Sequence, residues 1–476
     1  MNEALVFFVY LRFCLGYKGN MSKIVAGMNW QELYTFASKQ ALLGLCFEGI
    51  ERLGKEYPEE LKRNPIGREL LMNWMGKAQQ IRRQNMKVNV VAGKLFSMFR
   101  EDGMRCCVLK GQGNALMYPN PYSRTPGDID VWINASRERI MEYAQKKFEL
   151  GDDIRLQHLE TSLDGVPVEL HFFPCSMNNI LYHARLQKWF RRNADLQCSN
   201  VVGLPDGAGD IAIPTSPFNV VYQLCHLYHH FFDEGVGMRQ IIDYLLVVND
   251  FSKNVFLNNK SSKITPSLFT LKEGDFSNHP VPLSKEGSTF SPSPSSSGSG
   301  DVTAPSRCSE PLRSKVGGPS KVSPDCAGWD RRDAIGDMTS ASTDTSATVA
   351  RSSFAAGSSG STALDVVQRD LKHLGLWKFA GAVMYVLHEV LGLAEEKMIV
   401  PMDEKRGNLL LAEILDGGNF GRHFTKYAGF THQSMGKKYF LKIWRNMHFV
   451  RYYPAEALCE PIFRTWHFFW RLKHRR

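Results

Sequence analysis

The sequence has no pair of cysteines in the Cys-x-x-Cys spacing, although it contains ten cysteines. Without such a pair a zinc knuckle is not indicated, and cysteines scattered singly along the chain do not suggest a disulfide framework. This cysteine pattern fits a protein that folds in a reducing compartment, so we expect a cytoplasmic location.

Long hydrophobic runs are also lacking. The most apolar stretch, residues 4–15, is too short to span a bilayer, and neither a basic segment before it nor a small-x-small cleavage site after it marks a signal peptide. We therefore expect this stretch to form a buried first helix.

Acidic residues are in the minority. The 48 Asp and Glu residues against 58 Lys and Arg residues give a net charge of +10 over 476 residues. This balance favours anionic partners such as nucleotides, nucleic acid or acidic lipid, without choosing among them. With 43% hydrophobic and 22% charged residues, the chain has the composition of a globular protein with room for two or three domains.

The most informative stretch is residues 127–133, Gly-Asp-Ile-Asp-Val-Trp-Ile. Alternating acidic and apolar residues at the start of an apolar run predict a β-strand, on which Asp128 and Asp130 share one face. Two neighbouring carboxylates repel each other unless a cation lies between them, and Mg²⁺ binds through oxygen ligands. Because an Asp-x-Asp pair often occurs by chance on a solvated surface, the flanking sequence decides the interpretation.

The flanking sequence supplies two further elements. Residues 105–109 predict a short apolar strand that ends in a glycine turn and a helix start, an arrangement that aims backbone N–H groups at an anion. Downstream, residues 155–163 and 166–172 flank an Asp-Gly dipeptide and predict a β-hairpin. Its second arm places Glu169 and His171 on one face, and Glu169 becomes a third carboxylate if that arm pairs beside the Asp128 strand.

These motifs resemble the catalytic core of the polymerase-β-like nucleotidyltransferase superfamily. The superfamily pattern is an apolar residue with Gly-Gly or Gly-Ser, then Asp-x-Asp or Asp-x-Glu, then a later single acid on a neighbouring strand. Residues 109–111, 128–131 and 168–171 correspond to these three motifs. The chain departs from the pattern at residues 110–112, Lys-Gly-Gln, which stand where Gly-Ser is usual.

A narrower resemblance is to the bacterial family of uncharacterised nucleotidyltransferases. It rests on the Lys-Gly opening, on Tyr118 and Arg124 before the acidic pair, on the Glu-Leu-His strand and on the later Gly-Met-Arg-x-x-x-Asp stretch at 237–243. This resemblance implies transfer of a nucleoside monophosphate from a nucleoside triphosphate, such as ATP, to the hydroxyl group of an unidentified acceptor. It implies two-metal catalysis with Mg²⁺ or Mn²⁺ as the cofactor.

The resemblance also implies roles for individual residues. The expected catalytic residues and metal ligands are Asp128, Asp130 and Glu169. The expected nucleotide-binding residues are Lys110, Gly111, Gln112 and Arg124. The residues expected at the cleft are His171, His226, His230, Arg239 and Asp243.

Two of these pairs have simpler interpretations. His226 and His230 lie four apart on a predicted helix and would suit zinc, but a glutamate in the His-Glu-x-x-His position and a third ligand are lacking, so a structural or substrate-contact role is favoured. Arg239 and Asp243 are also four apart, which predicts an ion pair on one helix face.

The fold class predicted is α/β (α+β), with a small mixed sheet flanked by helical regions. A stretch rich in Ser, Pro and Gly cannot bury enough apolar surface to fold and is predicted to be a disordered insert in a helical region whose two sides pack together. The predicted parts are an N-terminal helical region (1–100), a catalytic core (101–200), a C-terminal helical region (201–250 and 364–476) and the insert (251–363).

The basic, aromatic tail at 461–476 leaves alternatives open. It is predicted to be a helix docked through its aromatic side chains, but it would also suit peripheral contact with an anionic membrane or with nucleic acid. The alternatives to catalysis are therefore a degenerate protein that binds nucleotide or a partner, and a scaffold on a membrane surface or nucleic acid.

Overall fold

The computed structural model describes residues 3–150, 155–261, 362–424 and 435–473. These residues lie in one compact unit. Among them, the search for membrane-spanning segments finds no helix that is both long and apolar enough to cross a bilayer.

Six helices precede the sheet. They are α1 (Glu3–Cys14), α2 (Ser22–Ala26), α3 (Trp30–Lys39), α4 (Leu43–Glu56), α5 (Pro58–Arg63) and α6 (Arg68–Glu101). The buried first helix is confirmed by α1, in which Tyr10 and Leu11 are fully buried. Between α3 and α4, Ala41 adopts a left-handed conformation (φ 57°), which separates the two helices.

A four-stranded mixed sheet follows. Its strands are β1 (Cys106–Leu109), β2 (Ile129–Ile133), β3 (His158–Leu163) and β4 (Val166–His171), in the order β1-β2-β4-β3. β2 runs parallel to β4 and antiparallel to β1, and β3 and β4 form the predicted hairpin. Its turn residues, Asp164 and Gly165, both have positive φ, as a two-residue hairpin turn requires.

The two faces of the sheet are covered differently. Val131 and its neighbours on one face join a hydrophobic cluster with α6 and with α8 (Arg137–Lys147). On the other face Trp132 stacks on Phe218 of α10 (Ser216–Asp233), with ring centroids 6.0 Å apart. Because side chains alternate along a strand, Asp130 lies on the α10 side.

The remaining elements complete the helical shell. They are α7 (Gly111–Ala115), α9 (Ile180–Ser199), the two-stranded sheet β5 (Val201–Gly203) and β6 (Asp210–Ala212), α10 (Ser216–Asp233), α11 (Met238–Ser261), α12 (Ala363–His373), α13 (Trp377–Glu389), α14 (Glu404–Gly417), α15 (Met435–Met447), α16 (Pro454–Ala457) and α17 (Glu460–Lys473). The mixed α/β fold with helical flanks is as the sequence predicts.

The predicted insert lies outside the described residues except at its ends. At its start, α11 continues to Ser261, although composition places the boundary at residue 251. Phe251 is buried at the first of these positions, so the apolar face of the helix extends past the change in composition. Beyond the insert, Asp370 of α12 accepts a hydrogen bond of 2.8 Å from Trp189, so the chain after the insert packs on the helices before it.

The last helix docks differently from the prediction. Arg464 of α17 forms an ion pair with Asp233 at 3.0 Å, and Glu460 is buried. Trp466 and Phe469, in contrast, are 50% and 63% exposed. The prediction that α17 docks through its aromatic side chains is therefore wrong for Trp466 and Phe469. Charged side chains of the helix, such as Arg464, make the contact with the rest of the protein.

Candidate active site

Strand register brings the predicted acids together. Asp130 on β2 pairs directly with Glu169 on the parallel strand β4, so both side chains lie on the same face of neighbouring strands. Asp128 lies immediately before β2 and is exposed, whereas Asp130 is buried. Three carboxylates from two separate segments of the chain therefore meet on one face of the two central strands.

The carboxylates repel one another, and Asp128 shows this most clearly. The charge of Asp130, partial withdrawal from water and the charge of Glu169 raise the pKa of Asp128 to about 7. A cation placed among these groups would remove the repulsion.

Positive charge from the chain itself already meets Asp130. Its Oδ1 atom lies 3.1 Å from Lys110 Nζ and 3.0 Å from His171 Nε2. Burial acts to raise the pKa of Asp130, but Lys110 and His171 outweigh burial and hold this pKa well below its usual range. Asp130 is therefore ionised at neutral pH.

His171 lies between two of the carboxylates. Its Nε2 atom is 3.0 Å from Asp130 Oδ1 and 3.2 Å from Glu169 Oε2. Burial favours the neutral ring, but the hydrogen bonds to both acids prevail and raise the pKa of His171 to about 9. The imidazolium form therefore predominates at neutral pH, and its Nε2–H donates to the carboxylates.

A second histidine completes the far side of the cluster. His158 Nδ1 lies 3.3 Å from Glu169 Oε2, and burial together with the charge of His171 lowers the pKa of His158 to about 4. His158, Glu169 and His171 each offer a ligand atom within 4.8 Å of the others. Carboxylate oxygens and imidazole nitrogens are suitable donors for a divalent cation, and the raised pKa of Asp128 shows that the set has negative charge to compensate. The three carboxylates thus fit a divalent metal ion by their charge and oxygen donors. Among the described residues Asp128 and Asp130 do not belong to the closely spaced group of three, and His171 becomes a ligand only after it loses its Nε2 proton.

Lys110 reaches Asp130 from a strained turn. It has φ 51° and ψ −126°, a conformation that glycine favours, and Gly111 follows with φ 39°. Strain of this kind at a non-glycine residue persists only where the surroundings hold it, and it is concentrated at functional sites.

The two histidines of α10 interact with each other and with Lys110. Lys110 Nζ donates to His226 Nε2 over 2.9 Å, and His230 Nε2 is 2.9 Å from the same atom. Burial, followed by the charge of Lys110, lowers the pKa of His226 well below its ordinary value, so this ring is neutral and accepts. Within the described ranges, the group of three suitably spaced metal ligands includes neither histidine.

A cleft of about 520 Å³ opens beside the carboxylates. The predicted site residues that line it are Lys110, Gly111, Arg124, Asp128, Asp130, His226, Arg239 and Asp243.

The predicted ion pair between Arg239 and Asp243 is wrong. Asp243 instead binds Arg124, accepting from Nε at 2.9 Å and from Nη2 at 2.8 Å, and also accepts from Tyr118. Arg239 donates to the carbonyl oxygen of Thr125, and its Nε atom is buried without a hydrogen-bond partner. Arg124 donates to both carboxylate oxygens of Asp243, a bidentate geometry that is favourable for an arginine and a carboxylate.

The structure does not bring Gln112 into the cleft. Its side chain is buried and donates to Asn89 of α6. Phe420, in contrast, lines the cleft from the loop after α14, with the Arg239 guanidinium 5.6 Å from its ring centroid. The sequence around Phe420 indicates only a glycine-rich turn, so no local signal marks this residue.

Comparisons with known proteins bear on this geometry. No curated protein and no solved structure matches the chain. The family described as uncharacterised nucleotidyltransferase matches residues 26–264, just over half of the chain. The match includes the three acids, Lys110 and Arg239, and the chain belongs to this nucleotidyltransferase family.

Proposed function

We propose that the protein transfers a nucleoside monophosphate group from a nucleoside triphosphate to a hydroxyl group of an acceptor. The observation that carries this proposal is the direct pairing of Asp130 with Glu169 across β2 and β4, with Asp128 beside them at a cleft lined by basic side chains.

The cleft suits a triphosphate. Arg239 is buried at its wall with an unpartnered Nε atom, and Lys110 Nζ lies at its base. Arg124 serves a different purpose, because Asp243 occupies its guanidinium and the pair shapes the wall. We therefore assign phosphate binding to Lys110 and Arg239, and we assign contact with the base or the ribose to Phe420.

Asp128, Asp130 and Glu169 would hold the metal. Bound there, Mg²⁺ or Mn²⁺ would neutralise phosphate charge and make the acceptor hydroxyl easier to deprotonate. The acceptor oxygen attacks the α-phosphorus, the bond from this phosphorus to the bridging oxygen breaks, and pyrophosphate leaves with the electron pair. The hydroxyl proton passes to solvent by way of Glu169. Positioning and charge neutralisation account for most of the catalysis in reactions of this type.

The test uses α-labelled nucleoside triphosphates with the purified protein, Mg²⁺ and a cell extract as the source of acceptor. We expect label to enter one class of molecule and pyrophosphate to be released. Asp128→Ala and Asp130→Ala should each reduce the rate by about 100-fold or more, since losing several kcal/mol of charge stabilisation has that effect.

The matched control is Asp195→Ala. Asp195 is an exposed acid that bonds Arg105 at 2.6 Å, away from the cleft, and its loss should leave transfer unchanged. Circular dichroism establishes that the variants are folded. Wild-type turnover in both site variants would overturn the assignment.

A second candidate is a nucleotide-binding protein without catalysis. It is favoured by one observation, that Lys110 and His171 already neutralise Asp130. Calorimetry with ATP, with and without Mg²⁺, separates the two candidates. Tight binding that does not depend on Mg²⁺, together with no release of pyrophosphate, would support the binding protein.

A further inference from the structure

A second cleft of about 740 Å³ lies beside His158. Its lining includes Gln157, His158, Ser176, His229, Phe463 and His467. None of the residues that line it also lines the nucleotide cleft.

This second cleft reaches the catalytic acids from the other side. His158 lines it, and the Nδ1 atom of the same ring is 3.3 Å from Glu169 Oε2. Helix α10 contributes to both clefts, since His226 lines the first one and His229 lines the second. A ligand bound at His158 is thus separated from Glu169 by one imidazole ring.

Polar atoms in this cleft lack partners. The Nε2 atoms of His158 and His467 are buried without a hydrogen bond among the described residues, whereas His158 Nδ1 faces Glu169 at 3.3 Å. A buried polar group without a partner costs about 1–3 kcal/mol, so these atoms are suited to a ligand that supplies hydrogen bonds.

The charged side chains of the cleft are already balanced. Asp233 lies 2.8 Å from Lys442 and 3.0 Å from Arg464, Arg464 also pairs with Glu460, and Arg155 lies 2.7 Å from Glu160. The cleft therefore does not offer a spare charge of either sign for an ionic ligand.

The remaining surface is neutral and partly aromatic. Burial is the main cause that lowers the pKa of His229 and of His467, so both rings are uncharged at neutral pH. The Phe463 ring stacks on His467 with centroids 5.9 Å apart, and both side chains line the cleft. The aromatic rings suit the C–H groups of a ligand, and the neutral donors and acceptors suit its hydroxyl groups.

We propose that the second cleft binds the acceptor of the transfer reaction, and that this acceptor is an uncharged polyhydroxy compound of the sugar or cyclitol class. The inference rests on the proposed function and deepens it. One hydroxyl group directed past His158 supplies the oxygen that forms the new bond to the α-phosphorus, while pyrophosphate leaves and the hydroxyl proton goes to solvent.

The wall that selects the acceptor comes from outside the family match. Phe463 and His467 belong to α17, whereas the match ends at residue 264. This part of the acceptor cleft is therefore separate from the nucleotide site, although His158 and His229 lie inside the match, and substitutions on α17 test acceptor binding separately.

The experiment measures transfer from α-labelled ATP with Mg²⁺ to defined probes. The neutral probes are methyl glucoside, methyl galactoside, methyl mannoside and myo-inositol, and the charged probes are glucose 6-phosphate and glucosamine. We expect label on at least one neutral probe. Phe463→Ala and His467→Gln should each raise the KM for that probe tenfold or more while leaving the KM for ATP unchanged.

The matched control is Phe469→Ala on the same helix, where the ring is 63% exposed and does not line the cleft. It should change neither KM. If Phe463→Ala does not fold, as judged by its melting temperature, His467→Gln carries the test. Label on charged probes alone, label on none of the probes, or an unchanged acceptor KM in a folded variant would overturn the inference.

Failure of the proposed function looks different. In that case wild-type protein neither binds Mg²⁺-ATP in calorimetry nor releases pyrophosphate with any acceptor, including water. Release of pyrophosphate without label on any probe leaves the proposed function standing and rejects only the sugar or cyclitol acceptor.

Discussion

Asp243 holds the guanidinium of Arg124 through two hydrogen bonds of 2.9 and 2.8 Å, although the two residues are 119 positions apart in the chain. Both side chains are almost completely buried. Removing one partner of a buried ion pair leaves an uncompensated charge. Arg124 precedes β2 and Asp243 lies on α11, so the ion pair links these two parts of the cleft wall.

Asp243→Asn should consequently destabilise the protein by about 3–5 kcal/mol, measured as the free energy of unfolding in urea. The control is Asp195→Asn, which weakens the exposed pair with Arg105 and should cost about 1 kcal/mol or less. Equal small losses in the two variants would contradict the structural role of Asp243.

Arg239→Gln should affect nucleotide binding more than stability. Among the described residues the Arg239 Nε atom has no hydrogen-bond partner and no carboxylate forms an ion pair with the guanidinium, so it is available for phosphate. Hydrogen bonds to charged groups contribute about 1.5–3 kcal/mol, which corresponds to a rise of about 10- to 100-fold in the KM for the triphosphate. Steady-state kinetics and urea unfolding measure the two effects. An unchanged KM would remove Arg239 from the phosphate site.

Two glycines of α6 should respond oppositely to substitution by alanine. A Cβ atom at Gly93 would lie 2.1 Å from the carbonyl oxygen of Ala208, so Gly93→Ala forces the backbone apart. At Gly76 the corresponding space is open, and alanine should stabilise the helix by about 0.5–1 kcal/mol. Urea unfolding of both variants provides the measurement. A gain in stability for Gly93→Ala would contradict the close packing of α6 on the loop before β6.

The stability of the metal-free protein should depend on the ionisation of Asp128. Neighbouring carboxylates raise its pKa to about 7 from an ordinary value of 3.8. Between these values the folded state holds a proton that the unfolded state has lost, so this group's contribution to the unfolding free energy falls as pH rises through that window.

Asp128→Asn abolishes this titration. In EDTA the variant should therefore gain stability relative to the wild type between pH 5 and pH 8, which urea unfolding at the two pH values measures. Mg²⁺ should reduce the difference at pH 8, because a bound cation favours the charged carboxylate. If the difference in unfolding free energy between variant and wild type does not change with pH, Asp128 lies apart from the other acids in solution.

The insert should be dispensable for folding. Deletion of residues 262–361 leaves α11 and α12 intact, so we expect circular dichroism and the melting temperature to remain close to wild type. A deletion of 251–361 removes the buried side chains of Phe251 and Ser252 and should destabilise the protein. Loss of the folded state in the shorter deletion would show that the insert has a structural role.

Local sequence patterns were sufficient for most of the elements around the site. The Asp-Gly dipeptide at 164–165 gives the hairpin, since both positions require positive φ. The side-chain oxygen of Ser136 caps α8 as its position predicts, accepting from the backbone N–H of Arg139. Ala41 separates α3 from α4 in a left-handed conformation, for which alanine gives no compositional signal.

The partners of individual charges were harder to predict. Spacing along one helix pairs Asp243 with Arg239, but the folded chain supplies Arg124 in better geometry. Gln112 was expected at the nucleotide, whereas its neighbour α6 provides a buried partner in Asn89. In both cases a residue distant in sequence decided the outcome, and periodicity does not contain that information.

By itself, the sequence determined the mixed fold, the strand that carries the two aspartates and the hairpin arm that carries the third acid, because turn chemistry and side-chain alternation are local properties. Only the tertiary structure decided that β4 lies beside β2 in the register that sets Glu169 against Asp130, and that α17 closes a second cleft at His158. The physical reason is that strand neighbours and helix docking depend on the packing of surfaces from distant segments, which no short stretch of sequence specifies.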